Sequence, residues 1–207
     1  MANFNPFTFD PTAFMSGQME SKLWLVDKLY HVANTHDIMR SWEDWRTFSV
    51  HIYAGWYGLT NLLLRAHGGF PRAVVTSFDA DEAANQGALV LNEAFQLRGE
   101  FQAVTEDVNK LQFGQGQGDS GWGRCDVLIN TSVEHIEGRE WFDNIPTGTL
   151  VALQSNDMEH LDEHVNTISS IGEFIQQYPL REVLYSGVKA FEYPTWSFNR
   201  FMIIGIK

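Results

Sequence analysis

Residues 48–81 read FSVHIYAGWYGLTNLLLRAHGGFPRAVVTSFDAD. The apolar, β-branched run 48–54 has the length and composition of a buried strand. Residues 55–58 follow as a turn carrying Gly55 and Gly58, and 59–67 carry leucines at helical spacing. Gly68 and Gly69 stop that helix, since glycine takes the left-handed conformation that ends one. A second apolar run, 73–78, is closed by Asp79. Strand, turn, helix and strand in this order are the repeating unit of a parallel sheet with helices on its faces.

The same alternation extends in both directions. Upstream, residues 12–45 read as helical, with Leu23, Leu25, Val26, Leu29, Tyr30 and Val32 as the apolar set. Downstream the pattern predicts a helix at 81–96, strands at 101–105 and 126–129, and a short helical turn at 141–144. A strand at 149–154, a helix at 165–177 and strands at 182–185 and 198–206 complete it. The expected architecture is α/β: a Rossmann-like three-layer sandwich around a seven-stranded, mostly parallel sheet. One unit spans 1–207, with 1–45 as a helical extension packed on it. Open parallel sheets bind ligands at the carboxyl ends of their strands, so the residues just after each strand are the candidates.

Composition narrows the function classes. The net charge is -12, from 14 basic and 26 acidic residues, and no Lys/Arg run is present. Such a chain repels phosphate backbones, which argues against a nucleic-acid substrate. No apolar run is long enough to span a bilayer, and the start lacks the pattern of a signal peptide. A single cysteine, Cys125, excludes a disulfide framework, and these features together imply a cytoplasmic protein. Cys125 opens an apolar strand and is read as packing rather than reacting.

Several post-strand segments carry chemistry. Asp79 lies in Ser77-Phe78-Asp79-Ala80-Asp81, Asp107 in Thr105-Glu106-Asp107-Val108, and Asn130, Glu134 and His135 in Asn130-Thr131-Ser132-Val133-Glu134-His135-Ile136. In this order they resemble the motifs of class I S-adenosylmethionine-dependent methyltransferases over nearly the whole chain from residue 47. The resemblance implies an antiparallel last strand and S-adenosylmethionine as cofactor. It implies that Asp79 accepts hydrogen bonds from the ribose hydroxyls, a task a carboxylate suits because it takes two donors at once. Asp107 would receive the adenine amino group, with Val108 against the ring. For each acid a plainer role stands beside this one: Asp79 as a helix cap, Asp107 as a solvated turn residue.

The first motif departs from the family. The family has an acid ending the first strand, then three glycines at alternate positions, which let the backbone approach the cofactor's methionine part. Aligned on Gly58, those positions hold Ala54 and Trp56, and the acid's place holds Ile52. Gly55 and Gly58 are left to shape the loop. An indole at the closest approach either displaces the cofactor or prevents its binding.

Asn130 and His135 are the substrate-facing candidates, His135 as general base because its ordinary pKa is near neutrality. Asn130 is followed by Thr-Ser-Val rather than the prolines of amino-methylating relatives, and it can also simply hold the loop. Residues 160–164, HLDEH, match the H-x-x-E-H pattern of zinc peptidases, yet no third ligand is placed by the sequence and an acidic loop is the plainer reading, so no metal is expected. The glycine-rich stretch 112–123 with Trp122 reads either as a lid or as a connector. The resulting reading is a methyltransferase acting on a small molecule. A noncatalytic binding module, or transfer of an aminocarboxypropyl or aminopropyl group from the same cofactor, are the alternatives.

Overall fold

In the computed structural model, residues 9–36, 38, 47–113 and 123–207 are described. Residues 39–45 of the expected first helix, and the glycine-rich stretch with Trp122, therefore lie almost wholly outside them. Seven strands form one sheet: β1 (Phe48–Tyr53), β2 (Ala73–Asp79), β3 (Phe101–Thr105), β4 (Val127–Asn130), β5 (Leu150–Asn156), β6 (Glu182–Glu192) and β7 (Ser197–Ile206). Their order is β3-β2-β1-β4-β5-β7-β6. The first five pair in parallel, and β7 runs antiparallel to both β5 and β6. The expected sheet, with its antiparallel last strand, is present.

The helices are α1 (Ser16–Thr35), α2 (Leu59–His67), α3 (Glu82–Leu91), α4 (Glu93–Gln96), α5 (Glu140–Asp143) and α6 (Ile171–Gln177). Two apolar clusters cover the two faces of the sheet. Leu25, Leu29, Ile52, Leu64 and Ile129 belong to one, and Tyr53, Phe78, Leu128, Trp141 and Phe174 to the other. This follows from the pleat: successive residues of a strand point to opposite faces, as Ile52/Tyr53 and Leu128/Ile129 do.

Several element boundaries differ from expectation, three of them for a reason in local side-chain bonding or capping. Where one helix 81–96 was expected there are two, broken at Asn92. That side chain is buried; its Nδ2 donates to the carbonyls of Gly58 (3.2 Å) and Ala88 (2.9 Å), and its Oδ1 accepts from Asn61 (2.8 Å). Asn92 thereby ties α2, α3 and the turn before α2 together. The helix expected from 165 starts at Ile171, because Ser170 caps it by accepting from the Glu173 N–H at 3.2 Å. At the N-terminus, Pro11–Phe14 form a 3-10 turn capped by Asp10, and α1 starts only at Ser16.

Candidate functional site

The carboxyl ends of β1, β2 and β4 meet at the point where the sheet order reverses. Tyr53 is in register with Phe78 on one side and with Asn130 on the other. The turn that follows β1 crosses directly over β2: the Gly55 N–H donates to the Phe78 carbonyl at 3.1 Å. A Cβ on Gly55 would lie 1.9 Å from Ser77 Oγ and 3.3 Å from its Cβ, so a larger residue there would displace the Ser77 side chain.

The backbone of this turn is left-handed at alternate residues: φ is 48° at Ala54, 47° at Trp56 and 69° at Gly58. These are the three positions where the resemblance called for glycines. The backbone is left-handed at all three although two of the side chains are not glycine, at roughly 1–2 kcal/mol for each such residue. Gly58 also packs tightly; a Cβ there would approach Asn92 Nδ2 to 2.6 Å. Trp56 is only half-buried, and its ring packs on Tyr57 at 5.0 Å, which in turn meets Phe9 edge-on at 5.3 Å.

Asp79 anchors the turn. One carboxylate oxygen accepts from the Trp56 N–H at 2.8 Å and the other from the Asp81 N–H at 3.0 Å. Burial raises its pKa, and those two hydrogen bonds partly offset the rise. Each carboxylate oxygen has a second lone-pair direction, so two acceptor positions remain for a ligand. Asp79 does not cap α3; Asp81 does, accepting from the Ala83 and Ala84 N–H groups. Asp107 caps a 3-10 turn by accepting from the Asn109 N–H at 3.0 Å, pairs with Lys110 at 3.3 Å, and is partly exposed. Val108 beside it is buried in the second apolar cluster.

Asn130 ends β4 fully buried. Its Oδ1 accepts from the Ser132 N–H at 2.9 Å, while its Nδ2 has no hydrogen-bond partner among the described residues. The plainer role, holding the loop, is filled by the oxygen, and the buried donor is left over. Two residues of the 3-10 turn Val133–His135 then face different surroundings. His135 is exposed, its Nδ1 3.2 Å from the Glu163 carbonyl and its ring edge-on to His164 at 4.6 Å. It lies within electrostatic reach of Asp79.

Glu134 is buried and does not orient His135. Its Oε1 accepts from Arg200 Nη1 and from Asn156 Nδ2, both at 2.6 Å. Arg200 on β7 is in register with Asn156 on β5, which is what brings the guanidinium to this end of the sheet. From α1, Lys22 reaches the same place. Burial, reinforced by the Arg200 charge, lowers its pKa to about 7. Ser21 beside it exchanges two hydrogen bonds with Gln154 of β5, at 3.1 and 3.0 Å.

The sequence reading did not find Lys22, Asn156 or Arg200. Signals existed for two of them: Lys22 falls on the helical stripe of Val26, Leu29 and Ala33, and Arg200 interrupts an apolar strand. Lys22 binds its proton less tightly in the folded chain than in the unfolded one, so between about pH 7 and its ordinary value of 10.5 stability rises with pH. Replacing Lys22 by Met is expected to abolish that rise and to stabilise the fold by about 2 kcal/mol at pH 7. Thermal melts across the pH range, with a midpoint gain of roughly 4–8 °C, check it.

The H-x-x-E-H helix does not form: residues 157–170 are turns and bends, and exposed His160 stands apart from the cluster that His164 joins. Cys125 is buried and burial pushes its thiol pKa up, as packing requires. A hollow of about 510 Å³ lies at the other end of the sheet, lined by Asp126, Thr149 and Leu150 at the amino ends of β4 and β5. It is not at the order-reversal point.

The fold as a whole has counterparts in solved structures. The N-methyltransferase NodS from Bradyrhizobium japonicum WM9, solved with S-adenosyl-L-homocysteine, aligns over 98% of this chain and 89% of its own, with a TM-score of 0.61 and 11% identity. The fold is that of the class I methyltransferases. Coclaurine N-methyltransferase, bound to N-methylheliamine and S-adenosylhomocysteine, aligns over 85% of this chain and 72% of its own, with a TM-score of 0.57 at 10% identity. A methyltransferase from Aquifex aeolicus aligns over 96% of this chain and 99% of its own, with a TM-score of 0.53 at 12% identity. No family model and no curated protein matches the chain. In a methyltransferase fold, the turn 54–58 and Asp79 occupy the crevice at the reversal point of the sheet.

Proposed function

We propose that this methyltransferase-fold chain binds S-adenosylmethionine and transfers its methyl group to a small molecule. The observation that carries the proposal is the turn 54–58, left-handed at alternate positions and held on Asp79, which keeps acceptor capacity for two hydroxyls. In this reading Asp79 takes the ribose and Asp107 and Val108 border the adenine. Gly55 and Gly58 set the backbone near the methionine part. Asn130, with an unused buried donor, and exposed His135 face the substrate.

The cofactor supplies an electrophilic methyl on a sulfonium. The chain's own task is then to align the acceptor with it, exclude water and take up a proton where the acceptor carries one. His135 can do the last, since its exposed ring can exchange a proton with solvent. No helix among the described residues is long and apolar enough to cross a membrane, and the acidic charge disfavours a nucleic-acid substrate. The single buried cysteine fits a reducing, cytoplasmic setting.

Calorimetric titration with S-adenosylmethionine and S-adenosylhomocysteine tests the reading; micromolar binding of either is expected, and no binding to folded protein would sink it. Trp56 favours a second reading, a noncatalytic module, if its indole fills the methionine subsite. Trp56→Gly removes the ring and relieves a left-handed backbone. It is expected to leave stability within about 1 kcal/mol, because the relief is offset by the freer unfolded chain. Affinity for S-adenosylhomocysteine should rise about tenfold. An unchanged affinity would place the indole outside the subsite.

A further inference from the structure

Glu134, His135 and His164 are brought together from two loops, and their ligand atoms all lie within 4.8 Å of one another. We infer that these three residues form a binding site for a divalent first-row transition-metal ion, with zinc the best fit to two imidazoles and a carboxylate. Four independent features lead there.

Glu134 is 2% exposed, and while its Oε1 serves Arg200 and Asn156, its Oε2 has no hydrogen-bond partner among the described residues. A buried carboxylate oxygen without a donor calls for a further donor or a cation on that side. The histidines are preset as ligands. The Nδ1 of His135 is 3.2 Å from the Glu163 carbonyl and that of His164 is 3.0 Å from the Met158 carbonyl. A carbonyl can only accept, so each Nδ1 carries the proton and each Nε2 keeps its lone pair for a metal.

The surrounding charge also suits a cation. Residues 157–163, which lead into His164, hold Asp157, Glu159, Asp162 and Glu163 and no Lys or Arg. Arg200 orients the carboxylate through the other oxygen, Oε1. Finally, the ligand set is that of an open site. Two imidazoles and one carboxylate leave a coordination position for water or a substrate atom. Ligands about 3.4 Å apart would satisfy a tetrahedral ion, which asks the 133–135 turn and the loop carrying His164 to draw slightly closer.

Binding of the ion stands independently of methyl transfer; its use there rests on the proposed function, and a His135 that ligates the ion is not the base that takes the acceptor's proton. An open position close to Asp79 would hold a substrate oxygen or nitrogen and lower its pKa, which narrows the acceptor to one with a metal-binding heteroatom.

The test uses the full chain, stripped with chelator and titrated with Co²⁺ and Zn²⁺, following calorimetry and the visible Co²⁺ bands. One equivalent is expected. His164→Ala and His135→Ala should each weaken binding at least tenfold, while His160→Ala should leave it unchanged. Circular dichroism verifies that each variant is folded; the histidine variants serve because Glu134→Gln removes a buried ion pair. No stoichiometric binding, or binding unchanged in His164→Ala and His135→Ala, would overturn the site. S-adenosylhomocysteine titrated into the same stripped sample separates the two ideas: cofactor binding without metal binding rejects only the metal, and the reverse rejects only the methyltransferase reading.

Discussion

Replacing Asp79 by Ala is expected to weaken S-adenosylhomocysteine binding by about 100-fold, the loss of two hydrogen bonds to a carboxylate. The same change removes the acceptor of the Trp56 and Asp81 N–H groups, at 2.8 and 3.0 Å. The turn would then lose its anchor, with about 1–2 kcal/mol of stability. Asp79→Asn separates the two effects. Its amide oxygen can still hold one of the backbone donors, but its NH₂ group presents a donor where a ribose hydroxyl needs an acceptor. Calorimetry on both variants, with thermal melts, checks the prediction. Binding that survives Asp79→Asn with wild-type affinity would remove Asp79 from the ligand's contacts while leaving its structural role.

Glu134→Gln is expected to have the largest effect on stability, a loss of about 3–5 kcal/mol, because the Arg200 guanidinium stays buried without its counter-charge. The pair is dry: the side chains are 5% and 2% exposed, with 2.6 Å between Nη1 and Oε1. A fall in melting midpoint of roughly 10 °C would follow. The double replacement Glu134→Leu with Arg200→Met should recover most of that loss, since an ion pair and a well-packed apolar pair are close in stability. A single variant that melts within 2 °C of the parent would mean that water already reaches the pair.

Much of the fold was legible because burial imposes a period on the chain. Runs such as 48–53 and 73–78, buried on both faces, read as parallel strands, and Gly68-Gly69 marked a helix end. What escaped was set by side-chain bonding rather than by period. Val165 and Ile168 sit at helical spacing, but the Ser170 cap, a signal present in Ser170-Ile171-Gly172-Glu173, places the start of α6 later. β6 was expected to end at Tyr185, yet it runs to Glu192, since its edge position leaves most of it exposed and without an apolar run.

The candidate site was legible only in halves. Residues local to one strand end, Asp79 and Asn130, could be named from their place after apolar runs. Clusters assembled from distant segments could not. His164 was noticed in the wrong partnership, with His160, because sequence spacing cannot say that the chain from 157 to 170 folds back onto the 133–135 turn. Trp56 marked a departure in the first motif, but only the φ values reveal that the backbone is left-handed there without the glycines that usually permit it.

The place of β7 between β5 and β6 bears on the order in which the chain matures during synthesis. Glu134 and Lys22 are made before β7, yet the arginine that neutralises Glu134 is residue 200, on the strand that joins β5 to the edge strand β6. A ribosome-bound chain can therefore complete β1 to β5 and still hold an uncompensated carboxylate at the end of its sheet. The carboxyl end of the parallel strands around Glu134 would be the last part to set, only after β7 clears the exit tunnel.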